Sequence, residues 1–73
     1  MSIPKKLTAF LDALSPEERA EKLRLFEEAA TLAQQNGLQS PRFWASRQII
    51  KDRTLGQIKH DIAKRVRHRP PTD

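Results

Sequence analysis

Apolar positions along this chain recur at helical spacing and nowhere alternate with period two. Leu7, Phe10, Leu11 and Leu14 fall at i, i+3, i+4 and i+7, one stripe of a short first helix. Lys5 and Lys6 stand at its start, where the helix dipole disfavours cations, so that end is expected to be weakly held. Ser15-Pro16-Glu17-Glu18 is the clearest start signal: Ser15 can cap, Pro16 suits the first helical position, and Glu18 completes a capping box. The second helix then runs from Pro16 to about Gln35. Leu23, Phe26, Ala30 and Ala33 face inward, widened by Leu25, Ala29 and Leu32, and the small alanines let another helix approach closely. Glu18 with Lys22, and Arg24 with Glu28, are spaced i, i+4 for ion pairing on the outer face. Asn36-Gly37 is a strong stop, because both residues tolerate the left-handed conformation that closes a helix.

Ser40-Pro41 repeats the cap-plus-proline signal and opens a third helix through about residue 51, with Phe43, Trp44, Ile49 and Ile50 spread over a wide arc. Asp52-Arg53-Thr54 is a brief break. Thr54 and Gln57 form another capping box, and Leu55, Ile58, Ile62 and Val66 make a fourth amphipathic stripe. Gly56 within that helix costs about 1 kcal/mol relative to Ala. The expected fold is all-α: a small single domain of three to four short helices over 1–68, followed by a basic, disordered tail over 69–73.

Length changes the picture little and composition rather more. A chain of 73 residues holds one domain with a small core, and such a chain buries only about 60% of the surface it exposes when unfolded. There is no cysteine to staple it or to ligate metal as thiolate. Apolar runs stop at two or three residues, against the roughly 20 needed to cross a bilayer, and the N-terminus has no apolar block of signal-peptide length. No membrane partner and a cytoplasmic location are expected, in a chain 37% apolar and 32% charged.

The charge is one-sided. Residues 1–40 carry five Lys or Arg against six Asp or Glu, whereas residues 41–73 carry nine against three. The formal +5 therefore belongs to the C-terminal part, and it peaks in Lys59, Lys64, Arg65, Arg67 and Arg69 before Pro70 and Pro71. A field of this kind favours encounter with polyanions or acidic protein surfaces, and folding does not require it. Cations in the last turn of a helix suit its dipole, which accounts for two or three of them; it does not account for Arg42, Arg47, Lys51 and Arg53 on the preceding helix and turn. Trp44, flanked by Arg42, Phe43 and Arg47, has two readings: a core residue in a domain short of large side chains, or an exposed anchor, since Trp and Arg are enriched at interface hot spots. Adjacent Phe43 and Trp44 cannot both enter one narrow core stripe.

Catalytic and cofactor signatures are missing. Gly37 and Gly56 are the only glycines, so no phosphate-cradling glycine loop exists, and His60 and His68 are too far apart on a helix to share a metal unaided. The glutamates of the second helix read as a solvated face, and no serine sits in a nucleophile motif. Neither an enzyme nor a cofactor is expected.

Three binding readings remain. One is a helix-turn-helix DNA reader using residues 41–52 and 54–68; it lacks the usual turn glycine, and it offers only Gln57 as an amide near the start of its second helix. Another is a structured-RNA protein: residues 55–69 resemble the basic C-terminal helix of a two-helix-hairpin protein of the large ribosomal subunit, at Asp61-Ile62-Ala63-Lys64 and its basic flanks. The third rests on the 73-residue size, the opening Met1-Ser2-Ile3-Pro4-Lys5-Lys6-Leu7 and the basic end Lys64-Arg65-Val66-Arg67-His68-Arg69. In these the chain resembles the small RNA polymerase-binding transcription regulators of lytic Xanthomonas bacteriophages. That resemblance implies a phage protein of host takeover, acting in the bacterial host cytoplasm. It would bind host RNA polymerase, inhibit initiation and prevent intrinsic termination at the RNA-exit channel, with nascent RNA nearby and the free chain monomeric. On this reading Lys5, Lys6, Arg42, Trp44 and Arg47 are candidate polymerase contacts, and Lys59, Lys64, Arg65, Arg67 and Arg69 candidate contacts to nucleic acid or an acidic surface.

Overall fold

The helices of this protein lie close to where the sequence pattern puts them, and their ends are held in different ways. The computed structural model describes residues 3–67, apart from the side chain of Arg67. It contains α1 (Lys5–Asp12), α2 (Pro16–Gln35), α3 (Pro41–Ile50) and α4 (Leu55–Arg67), with no strand among the described residues. The all-α class follows. The expected tail over 69–73 lies outside the described residues.

α1 begins after Pro4 with no side-chain cap. Its other end is held from outside: the Arg19 guanidinium, on the first turns of α2, donates to the Leu11 carbonyl at 3.2 Å and the Leu14 carbonyl at 3.3 Å. The Leu11 carbonyl also accepts the Leu14 N–H at 3.0 Å, so Arg19 adds a second donor there. It supplies a side-chain donor to Leu14 just past the helix, and the cation suits the dipole at that end. Ser15 caps α2 by accepting the Glu18 N–H at 3.3 Å. The expected box is only half made, because the Glu18 carboxylate takes the Ser15 hydroxyl at 2.9 Å. The box at α4 is complete: the Thr54 N–H donates to Gln57 Oε1 at 2.9 Å and the Gln57 N–H to Thr54 Oγ1 at 3.2 Å.

α2 and α3 end alike. Gly37 adopts φ 74°, its N–H reaching the Gln34 carbonyl at 3.1 Å while the Leu38 N–H reaches Ala33 at 3.0 Å. Asp52 adopts φ 58°, with Asp52 N–H to Ile49 at 2.9 Å and Arg53 N–H to Gln48 at 3.2 Å. Both are Schellman closures, one made with glycine and one with an aspartate that tolerates the left-handed region. Ser40 departs from expectation. It precedes Pro41 but sits at φ 48°, and its side chain makes no cap hydrogen bond. Capping needs an extended backbone at that residue, and the left-handed turn does not bring the hydroxyl to the next N–H groups.

α2 is the hub: α3 packs chiefly on it and also on α1, while α4 lies against α2. Ala29, Ala30 and Ala33 of α2 and Ala45 of α3 are buried, so the two backbones meet closely. Leu7, Leu11, Phe26, Trp44, Ile49, Ile58 and Ile62 complete the core, and burying one such side chain stabilises by about 1.5–3 kcal/mol. Two expectations fail. Val66 is 40% exposed, so the α4 stripe leaves the core after Ile62. The pairs Glu18–Lys22 and Arg24–Glu28 do not form; Lys22 instead reaches Asp52 at 2.7 Å, 30 residues away. A 2.7 Å ion pair between elements wins over an i, i+4 pair worth only about 0.2–0.5 kcal/mol. No helix among the described residues is long and apolar enough to cross a membrane.

Candidate binding surfaces

The candidate contact residues separate into those tied into the fold and those left facing solvent. Arg42 belongs to the first group. Its guanidinium meets both carboxylate oxygens of Glu27, at 3.3 and 3.4 Å, and lies 4.9 Å from the Phe26 ring centroid. It therefore clamps the start of α3 to α2. Arg65 is similarly engaged, 3.2 Å from Asp61 Oδ2 one turn earlier, with its guanidinium 5.9 Å from the Trp44 ring.

Trp44 is 8% exposed and packs in the core, which overturns its reading as an exposed anchor. The physical reason is its place on α3: helical geometry gives adjacent residues different directions, and Trp44 shares the inward side with Ala45, Gln48 and Ile49. Its neighbour Phe43 takes the outward direction, at 56% exposure. Phe43 also borders a cleft of about 590 Å³ with Ala30, Leu38 and Pro41. Going along α3 from Phe43, Arg47 and Ile50 follow at i+4 and i+7, and both are exposed. The outer face of α3 thus alternates apolar and cationic groups, and Phe43 and Ile50 are exposed apolar residues that the sequence reading does not single out as candidate contacts. The adjacency of Phe43 and Trp44 was the available signal; choosing between them required knowing where α2 lies.

Buried polar atoms collect on the other side of the same helix. Trp44 Nε1 and Gln48 Oε1, four residues apart, are buried without a hydrogen-bond partner, as is Arg42 Nε. Ser46 is satisfied locally, its hydroxyl donating to the Phe43 carbonyl at 2.7 Å.

The described cations of α4 line three different clefts. Lys64 joins Lys51, Asp52, Arg53, Gly56, Gln57, His60 and Asp61 along a groove of about 720 Å³ between the end of α3 and α4. Lys59 borders a different, shallow cleft with Leu32, Asn36, Ile62 and Ala63. Arg65 borders a third, with Gly37, Leu38, Gln39, Trp44 and Val66. Lys5 and Lys6 are exposed on the first turn of α1. The Arg67 side chain and Arg69 lie outside the described residues. No group of three or more His, Cys, Asp or Glu that could hold a metal occurs among the described residues.

Lys22 donates to Asp52, and this hydrogen bond with its accompanying charge attraction holds the Asp52 carboxyl below the usual carboxylate range. The Gln57 acceptor oxygen is taken by its cap, which leaves only the amide N–H donors of that side chain for a DNA base edge. Compared with protein-family models, curated proteins and solved structures, the chain matches none.

Proposed function

We propose that this protein is a non-enzymatic regulator that binds bacterial RNA polymerase, inhibits initiation, and prevents intrinsic termination by acting at the RNA-exit channel. The observation that carries the reading is the outer face of α3, where Phe43 and Ile50 are exposed with Arg47 between them in sequence, and the end of α3 with α4, where Lys51, Arg53 and Lys64 line one groove; none of these four cations has an ion-pair partner among the described residues. Apolar groups flanked by Arg are the composition of a protein-docking face, and unpaired cations next to it suit a site through which polyanionic RNA passes. The resemblance in the opening residues and in the basic end supplies the polymerase as partner.

Physical magnitudes are compatible with such a role. A tenfold shift in an equilibrium needs about 1.4 kcal/mol of differential binding, so a few contacts that disfavour a terminator hairpin suffice. The test is gel filtration of the nuclease-treated protein with purified bacterial RNA polymerase at about 0.3 M salt, where purely electrostatic nucleic-acid contacts weaken strongly. Co-elution that is lost on Phe43→Ala supports the reading and places α3 in the contact. Separate elution of the wild-type chain removes polymerase as the partner.

A further inference from the structure

The groove between α3 and α4 has a charge arrangement that the net charge of the chain does not reveal. Two carboxylates line it, Asp52 and Asp61, and each is engaged by a cation that does not line it: Lys22 from α2 at 2.7 Å and Arg65 at 3.2 Å. Lys51, Arg53 and Lys64, also on the lining, have no carboxylate partner among the described residues. The groove is therefore lined by three unneutralised cations and two already neutralised anions. His60 is the one ring on its wall.

Gly56 is the second observation. Glycine inside a helix costs about 1 kcal/mol relative to Ala, and it is usually kept where a side chain would clash or where φ is positive. Neither holds here. A Cβ at Gly56 would meet only Thr54 Oγ1, at an ordinary 3.9 Å. The glycine is unexplained by packing within the chain, yet it lies on the groove lining, where a missing side chain leaves room for close approach from outside.

We infer that this groove binds the phosphate backbone of a single-stranded nucleic-acid segment, with Lys51, Arg53 and Lys64 contacting phosphates and the backbone passing over Gly56. Concavity favours a single strand: a positively charged groove can follow one backbone, whereas a duplex presents its phosphates as wide ridges. The residue set differs from the run of cations that the sequence emphasises, since Lys59 and Arg65 lie on other surfaces. Identifying the strand with the nascent transcript rests on the polymerase reading above; the groove's preference for single-stranded backbone does not.

The experiment measures binding of the full-length protein to a labelled oligouridylate by fluorescence anisotropy across a salt series. The triple variant Lys51→Ala, Arg53→Ala, Lys64→Ala is expected to lose at least about tenfold in affinity at low salt, and its log–log salt slope is expected to fall by about 2, near 0.7 for each lost single-strand phosphate contact. A control with Ala20→Glu and Arg24→Glu on the exposed face of α2 changes net charge by the same amount and should lose much less. Gly56→Leu leaves the charge unchanged and improves helix propensity, so it should keep the melting temperature yet weaken RNA binding several-fold. It also keeps the test decisive if the triple variant folds poorly. Equal losses in the triple variant and the control, or wild-type affinity in Gly56→Leu, overturn the inference. Displacement of the RNA by polyglutamate as readily as by unlabelled oligouridylate also overturns it, in favour of an acidic protein ligand. Polymerase co-elution without groove-dependent RNA binding removes this inference and leaves the proposed function; the converse result does the opposite.

Discussion

The seam around α2 and the outer edge of α3 and α4 use the same residue types for different ends. Along the seam, cations are committed: Arg19 holds the Leu11 and Leu14 carbonyls at the α1–α2 corner, Lys22 holds Asp52, and Arg42 grips Glu27 over the Phe26 ring. On the outer sides of α3 and α4, Arg47, Lys51, Arg53 and Lys64, with Lys59 on a separate surface, carry charge without a carboxylate partner among the described residues. Net charge counts both sets equally. Only the partners distinguish a cation that holds the fold from one available to a ligand.

That distinction should survive or fail on single substitutions, and the largest effect is expected at Arg19. Arg19→Ala removes the guanidinium that donates to two carbonyls at the α1–α2 corner, leaving Leu11 with only the Leu14 N–H and Leu14 without its side-chain donor. Hydrogen bonds to charged groups contribute about 1.5–3 kcal/mol, so the melting temperature should fall by roughly 10 °C in a domain of this size. A shift below about 3 °C in thermal denaturation would mean that the seam is not held by its cations.

Arg42→Ala comes next. It removes a partly exposed ion pair, a ring contact and the packing of the side-chain stem. The expected loss is about 1 kcal/mol, measurable as a lower urea midpoint at unchanged slope. Arg42→Lys should recover little of it, because an ammonium cannot meet both Glu27 oxygens in the planar fork that Arg offers.

Asp52 gives a smaller effect, and one that depends on pH. Its carboxyl is held below the ordinary carboxylate range by the Lys22 hydrogen bond. A group with a depressed folded-state pKa adds stability above its unfolded value, near 3.9, and that stability is lost as pH falls through the lower folded value. Asp52→Asn should therefore flatten the acid limb of a melting-temperature profile below about pH 4, with little change in slope around neutrality. The smallest effect belongs to the outer edge: Arg47→Ala and Lys59→Ala should each stay within about 0.5 kcal/mol of wild type in urea denaturation.

The four helices were legible because their signals are local. Ser15-Pro16, Asn36-Gly37 and the Thr54–Gln57 box each act within a few residues, and α2 and α4 start where those signals put them. Ser40 shows how far such a local signal reaches, because the same Ser-Pro pair gives a helix start without a cap. The surface was far less legible. Lys22 was expected to pair four residues away and pairs thirty away; Trp44 and Phe43 could be assigned opposite roles only once α2 supplied an inward direction. A run of cations in sequence wraps around a helix, so the grouping of Lys64 with Lys51 and Arg53, and its separation from Lys59, belongs to tertiary structure alone.

The opening at Gly56 has a practical consequence. The chain contains no cysteine, so His60→Cys would install a single thiol on the groove wall, four residues along α4 from Gly56 and clear of the opening itself. A photoreactive crosslinker attached there has no competing attachment point, and it would report by covalent capture which strand, and which nucleotide of it, lies over the groove.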